Sequence, residues 1–275
     1  MSCPDCFKGS THEGQPRGKV IELHGLQTYV SEPSNDKSVR GIIVIIPDAF
    51  GWEFVNNRIL ADHYADKGGF RVYLPEFMGG HAAPVWMMDT FKAISTGGIL
   101  SKLYNAPSAI YGMVPFVYYN RPGRSYPVVK SFFHALRKAE GADLPVGAAG
   151  FCWGGKHTVL LAADEELVDG KRLLDAGFTG HPSMLSVPAD VEAMTLPVSF
   201  ALAENDMAVS IQQAEQIKQI VEGKPEAQRG EAVMYKGCGH GFCIRADATK
   251  DDVAKQAAEA EDQCIRWFNK HFGLS

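Results

Sequence analysis

The run Gly41 to Ile46 is unbroken in apolar, mostly β-branched residues, the pattern of a strand covered on both faces. Shorter runs of the same kind recur at Phe70 to Leu74, Val146 to Ala149, Ala176 to Thr179, Val198 to Leu202 and Ala232 to Tyr235. Between them the apolar residues change to helical spacing. Examples are Ile59, Leu60 and Tyr64 within Asn56 to Lys67, and Val129, Phe132, Phe133 and Leu136 within Val128 to Glu140. Helices are also predicted over Gly155 to Glu166, Ile211 to Val221 and Val253 to His271, and a hairpin over Lys19 to Glu32, turning at His24-Gly25. Strands that alternate with helices predict an α/β protein with a mostly parallel central sheet and helices on both faces.

Two stretches stand outside this alternation. Residues 1–18 are polar and rich in Gly, Pro and His, and read as an irregular arm on a single domain spanning residues 19–275. Residues 81–127 are dense in aromatics (Trp86, Phe91, Tyr104, Tyr111, Phe116, Tyr118, Tyr119), with Gly and Pro throughout. They predict short helices and loops forming a cap or lid over a pocket, some of whose aromatics line an apolar acyl or ring site.

Composition narrows the class. The 275 residues are 45% hydrophobic and 21% charged, with 27 basic against 32 acidic residues and a net charge of −5. Neither sign is concentrated in a run, which argues against nucleic acid or an anionic membrane as partner. No signal peptide and no apolar stretch of bilayer-spanning length is visible, so a cytoplasmic protein is expected, as monomer or homodimer. Six cysteines are too sparse for a disulfide scaffold. Cys3-Pro4-Asp5-Cys6 has the spacing of half a zinc site or a redox pair, but no second pair follows, and no metal is expected.

The chemistry is concentrated at Gly150-Phe151-Cys152-Trp153-Gly154, which follows a predicted strand and precedes a predicted helix. Strand, tight turn and helix, with Gly two positions either side of a nucleophile, is the elbow of the α/β-hydrolase fold with Cys in place of Ser. The elbow needs an acid and then a histidine, each after a later strand. Ala203-Glu204-Asn205-Asp206 and Gly237-Cys238-Gly239-His240-Gly241-Phe242 meet that order. Asp206, in competition with Glu204 and Asn205, would orient His240, which would take the proton of Cys152 and return it to the leaving group. An oxyanion needs two backbone donors: Trp153 supplies one, and Ala49 or Phe50, after the first buried strand, the other. His181, after another strand, lies at the same sheet edge, to brace the loop or to touch substrate. The glycine spacing is not that of a phosphate loop, and no nucleotide, flavin or other cofactor is called for.

Four segments together, Pro47-Asp48-Ala49-Phe50-Gly51, Gly150-Phe151-Cys152-Trp153-Gly154-Gly155, Ala203-Glu204-Asn205-Asp206 and Gly239-His240-Gly241-Phe242, make the chain resemble the dienelactone hydrolase (carboxymethylenebutenolidase) family over roughly residues 39–272. The resemblance implies a Cys152, His240, Asp206 triad, selecting Asp206 from its neighbours; of the two candidates to join Trp153 as oxyanion donor, Ala49 is the one expected. It also implies a carboxylate beside the thiol, here Asp48, which holds the resting thiol protonated until substrate displaces it. Asp48 has an alternative use in capping a helix or bonding the loop backbone. Phe50, His181, Phe242 and Arg245 are candidate substrate contacts. Family members that open chlorinated dienelactones use two arginines; near Gly79-Gly80-His81 this chain has none, and Arg245 lies five residues past His240 rather than four. Arg245 otherwise reads as a surface salt bridge. The expected activity is opening of a lactone or cleavage of a small ester. Thioester cleavage, acyl transfer, lactam or amide hydrolysis, and a silent binding protein of the same fold are the alternatives.

Overall fold

A computed structural model describes residues 14–34, 38–246 and 251–274. The Cys3 and Cys6 pair, and all of the expected arm except residues 14–18, lie outside the described residues. The chain opens with β1 (Lys19–Leu23) and β2 (Leu26–Ser31), the expected hairpin about His24-Gly25. It continues through β3 (Ile42–Ile46), α1 (Val55–Gly68) and β4 (Arg71–Pro75), then three consecutive helices, α2 (Met87–Thr96), α3 (Ile99–Tyr119) and α4 (Pro122–Lys138). The remainder is β5 (Val146–Phe151), α5 (Trp153–Ala163), the small pair β6 (Leu167–Val168) and β7 (Lys171–Arg172), β8 (Ala176–Gly180), α6 (Ala189–Glu192), β9 (Val198–Asn205), α7 (Ile211–Gly223), β10 (Glu231–Gly239), α8 (Phe242–Arg245) and α9 (Asp251–His271).

Eight strands form one sheet in the order β1-β2-β4-β3-β5-β8-β9-β10, antiparallel in its first two pairings and parallel in the rest. Every residue of β3, β5 and β8 is buried. A strand hidden in this way must be covered on both faces, and apart from the pair α2 and α3 the helices fall into two contact groups, α1 with α8 and α9, and α4 through α7. The core is correspondingly large, running from Tyr29 through the β3 and β5 residues to Phe268.

The segment 81–127 departs from expectation. Instead of short helices and loops, it contains the 21-residue helix α3, which continues through Pro107 and Pro115. Each proline costs the helix one backbone hydrogen bond. On α3 only Gly112 and Phe116 are buried, and Gly112 lies where a Cβ would collide with Met87 of α2.

Candidate active site

Strand register determines what gathers at the carboxyl edge. Ile46 of β3 pairs with Gly150 of β5, so Asp48 lies level with Cys152, two residues further along each strand. Phe151 pairs with Gly180 of β8, which brings His181 beside Cys152. Gly239 of β10 pairs with Asn205 of β9, beyond a register shift that follows Tyr235, and the next residues along the two strands are His240 and Asp206.

Cys152 sits between β5 and α5 with φ 51° and ψ −109°, a left-handed backbone that a residue with a side chain occupies at a cost of order 1–3 kcal/mol. The flanking glycines are sterically required. A Cβ on Gly150 would collide with the carbonyl of Gly154, and one on Gly154 with the carbonyl of Ile46. The elbow is also bonded to the loop after β8: Cys152 N–H donates to Gly180 O at 3.2 Å, and Ser183 N–H donates to Cys152 O at 2.9 Å. The hydroxyl of Ser183 lies 3.6 Å from Cys152 Sγ, within hydrogen-bond reach of sulfur. The pattern of the sequence did not single out Ser183. Its signal was present in the loop Gly180-His181-Pro182-Ser183, which only the β5–β8 pairing attaches to the elbow.

His240 Nδ1 is 2.9 Å from both carboxylate oxygens of Asp206, and the ring hydrogen-bonds the thiol of Cys152. The His240 and Asp206 side chains are 0% and 2% exposed. Burial by itself would lower the imidazole's pKa, but the anionic forms of Cys152 and Asp206 outweigh it and push His240 up to about 10. Asp206 Oδ1 also accepts from Ala208 N–H at 2.8 Å, which fixes the carboxylate. Glu204, its competitor in the sequence, instead accepts from Gly237 N–H at 2.8 Å.

Trp153 is the first residue of α5, so its amide has no partner within the helix. Among the described residues no hydrogen bond occupies the amides of Trp153 or Ala49, whereas Phe50 N–H donates to Asp48 Oδ1 at 3.2 Å. Of the two donors open after β3, Ala49 is therefore the available one.

Asp48 does not cap α1, whose N-cap is Phe54 without a side-chain bond. Its Oδ1 accepts from Asn57 Nδ2 at 3.0 Å and its Oδ2 from the Arg245 guanidinium, and both ion-paired side chains are 0% exposed. Arg245 is thus no surface salt bridge. It folds back over the ring of Phe50, 5.1 Å from its centroid, through Gly241, whose φ of 94° suits glycine and where a Cβ would strike the guanidinium. Burial pushes the Asp48 carboxyl up, Arg245 pulls it down and the nearby Cys152 pushes it up again, leaving it above its ordinary value.

The remaining candidates are all buried. Phe50 packs on Phe54 at 5.1 Å and Phe242 on Tyr235 at 5.0 Å. His181 stands edge-on to His240 with centroids 5.0 Å apart, its φ is 38°, and neither ring nitrogen has a hydrogen-bond partner. Burial, with positive His240 and Arg245 nearby, holds His181 well below the ordinary histidine value and keeps it neutral. Among the described residues no group of three or more His, Cys, Asp or Glu is arranged to hold a metal ion, and no helix is long and apolar enough to cross a membrane.

A mostly parallel sheet with a strained residue at the strand-to-helix turn defines an α/β-hydrolase fold. The sequence model of the dienelactone hydrolase family matches residues 26–272, and the chain belongs to that family of hydrolases. It is 28% identical over 273 residues to "Hydrolase tropI" of Talaromyces stipitatus, covering 98% of this chain and 96% of that protein. It is 25% identical to "Dienlactone hydrolase 1" of Gibberella moniliformis, covering 89% and 84% of the two chains. A carboxymethylenebutenolidase homolog of Mus musculus is 23% identical over 98% of this chain and 97% of its own. Among solved structures, Thermogutta terrifontis esterase 2 phosphorylated by paraoxon superposes with a TM-score of 0.61 at 15% identity, over 95% and 96% of the two chains. A dienelactone hydrolase-like promiscuous phosphotriesterase from metagenomic libraries gives 0.57 at 17%, over 92% and 97%. At such identities these structures speak for the fold alone.

Proposed function

We propose that the protein opens a lactone or cleaves a small carboxylic ester through an acyl-enzyme on Cys152. The observation that carries this reading is the His240 ring, which bonds the Asp206 carboxylate through Nδ1 and also hydrogen-bonds the Cys152 thiol. His240 takes the thiol proton, and the sulfur, at the amino end of α5 where the helix dipole favours negative charge, attacks the carbonyl carbon. The tetrahedral oxyanion is held by the amides of Trp153 and Ala49, donors of a kind worth roughly 100- to 1,000-fold in rate each. His240 returns its proton to the departing alkoxide. In the second half it removes a proton from water, which attacks the thioester and frees Cys152.

Three further groups tune the sulfur. Asp206 fixes the imidazole tautomer and supports its positive form. Ser183 positions the sulfur and donates a hydrogen bond that favours the thiolate over the thiol. Asp48 opposes ionisation of Cys152 while Arg245 partly neutralises it, so a substrate that draws Arg245 away shifts the balance at the sulfur.

The test is hydrolysis of a panel of lactones, aryl esters and thioesters. Cys152→Ala and His240→Ala are each expected to lower turnover by roughly three orders of magnitude or more, and Cys152→Ser to leave weak activity. Full ester hydrolysis by folded Cys152→Ala refutes the reading.

A further inference from the structure

We infer that a groove beside the elbow, between the carboxyl half of α3 and the start of α5, is a substrate subsite that takes an aryl-sized apolar group of the ester. The inference rests on the proposed role of Cys152 and goes beyond it, because it names the kind of substrate. The groove is a cavity of about 480 Å³ lined chiefly by Met113, Phe116, Val117, Tyr118, Trp153 and Met184. That volume falls within the roughly 300–1,000 Å³ of ligand sites with apolar and aromatic walls.

Two chain connections tie the groove to the reacting atom. Its floor, Trp153, directly follows Cys152. Its far wall, Met184, directly follows Ser183, whose hydroxyl lies 3.6 Å from Sγ. The floor is rigid: Trp153 is 1% exposed, its indole N–H donates to Asn120 O at 2.7 Å, and its ring packs 4.1 Å from His157. The side chain of His157 is itself pinned, with Nε2 2.7 Å from Ser125 Oγ.

The lining also restricts the charge of the occupant. Arg121 is the charged side chain among the lining residues, and its guanidinium lies over the Tyr118 ring at 5.3 Å from the centroid. Among the described residues no carboxylate lines the groove, which favours a neutral or anionic group as occupant. Phe116, Tyr118 and Trp153 offer ring faces and edges to an aromatic guest. The most exposed apolar side chains of α3 are Tyr104, Leu100 and Tyr111, and none of the three lines the groove. Val117 and Tyr118 form an exposed rim, and the groove is recessed behind it against buried Phe116 and Trp153, which favours substrate over a second copy of the chain as occupant.

The experiment measures kcat/KM by pH-stat titration for ethyl acetate, ethyl 2-naphthoate and 2-naphthyl acetate. Wild type is compared with Val117→Trp, which fills the groove from the helix surface, and with Val20→Trp on the exposed hairpin. Intrinsic ester reactivity cancels when each variant's naphthyl-to-ethyl-acetate ratio is divided by that of wild type. For at least one naphthyl ester, Val117→Trp is expected to lower the ratio about tenfold or more, the scale of losing an aromatic-sized apolar contact, while Val20→Trp leaves it alone. If Val117→Trp does not fold, Tyr118→Ala removes a wall and must lower the same ratio. Persistent Cys152-dependent turnover with unmoved ratios overturns the subsite while leaving the hydrolase reading intact. Absence of Cys152-dependent turnover of every ester overturns both. Light scattering covers the remaining case: a dimer dissociated by Val117→Trp with unmoved ratios overturns the subsite and assigns the groove to a second copy.

Discussion

The ion pair beneath the sulfur makes an asymmetric prediction. Replacing Asp48 by Asn takes from the Arg245 guanidinium, 0% exposed, the counter-charge of that carboxylate, and a guanidinium has no accessible neutral form. Breaking a buried pair from this side is expected to cost about 3–5 kcal/mol. The reverse change, Arg245→Met, strands a carboxyl that burial already pushes above its ordinary value of 3.8. That carboxyl can shed its charge by binding a proton, and its bonds from Asn57 and Phe50 persist, so about 1–3 kcal/mol is expected near neutral pH. The sign follows from linkage. With its folded-state value raised further by loss of Arg245, Asp48 binds a proton that the unfolded chain does not hold. Stability relative to wild type therefore falls as pH rises through the interval between the wild-type Asp48 value, already above 3.8, and the further raised value of the variant, and is regained as pH is lowered through that interval. Urea denaturation followed by circular dichroism at pH 7.5 and 5.5 measures both variants. The reasoning fails if Asp48→Asn is the milder of the two, if it costs under about 1 kcal/mol, or if the Arg245→Met deficit grows on acidification.

Two further outcomes concern the sulfur and its base. Because His240 is pushed up to about 10, the thiolate–imidazolium pair is lost as pH rises through that value, and iodoacetamide alkylation of Cys152 should leave its plateau there. Asp206→Asn, which removes one of the raising charges, is expected to move that limb to lower pH; an unmoved limb contradicts the assignment. Ser183→Ala is expected to raise the pH at which Cys152 becomes reactive and to lower kcat about tenfold, the scale of one hydrogen bond to a charged group, with Ser183→Thr restoring both. Identical alkylation profiles for Ser183→Ala and wild type contradict a Ser183 bond to sulfur.

Much of the architecture could be read from the chain because the central strands β3, β5 and β8 are short and fully buried. Gly41 to Ile46 cannot be amphipathic, and so marks a strand inside a parallel sheet. The elbow was legible because the glycines at 150 and 154 are dictated by contacts as close as the carbonyl of Ile46. What stayed hidden depended on register or on context. The true ends of β9 and β10, at Asn205 and Gly239, come from their mutual pairing beyond the apolar runs. The long helix α3 was obscured by Pro107, Pro115 and Gly112, residues that read as breaks, and by apolar side chains on its exposed as well as its buried side. The pairs β6 and β7 are two residues each, too short to give a period. Arg245 could be located by its spacing from His240, but the positive φ of Gly241 that turns it inward onto Asp48 leaves no trace in hydrophobic pattern.

The central claim is that Cys152 carries the acyl group. The most direct measurement is intact-mass spectrometry of the protein quenched in acid during turnover of a slowly hydrolysed ester, with peptide mapping of the adduct. The account predicts a mass increase equal to the acyl group, located on the peptide containing Cys152 and lost on incubation without substrate. Continued turnover with no acyl adduct on Cys152, or with the adduct on another residue, would contradict it.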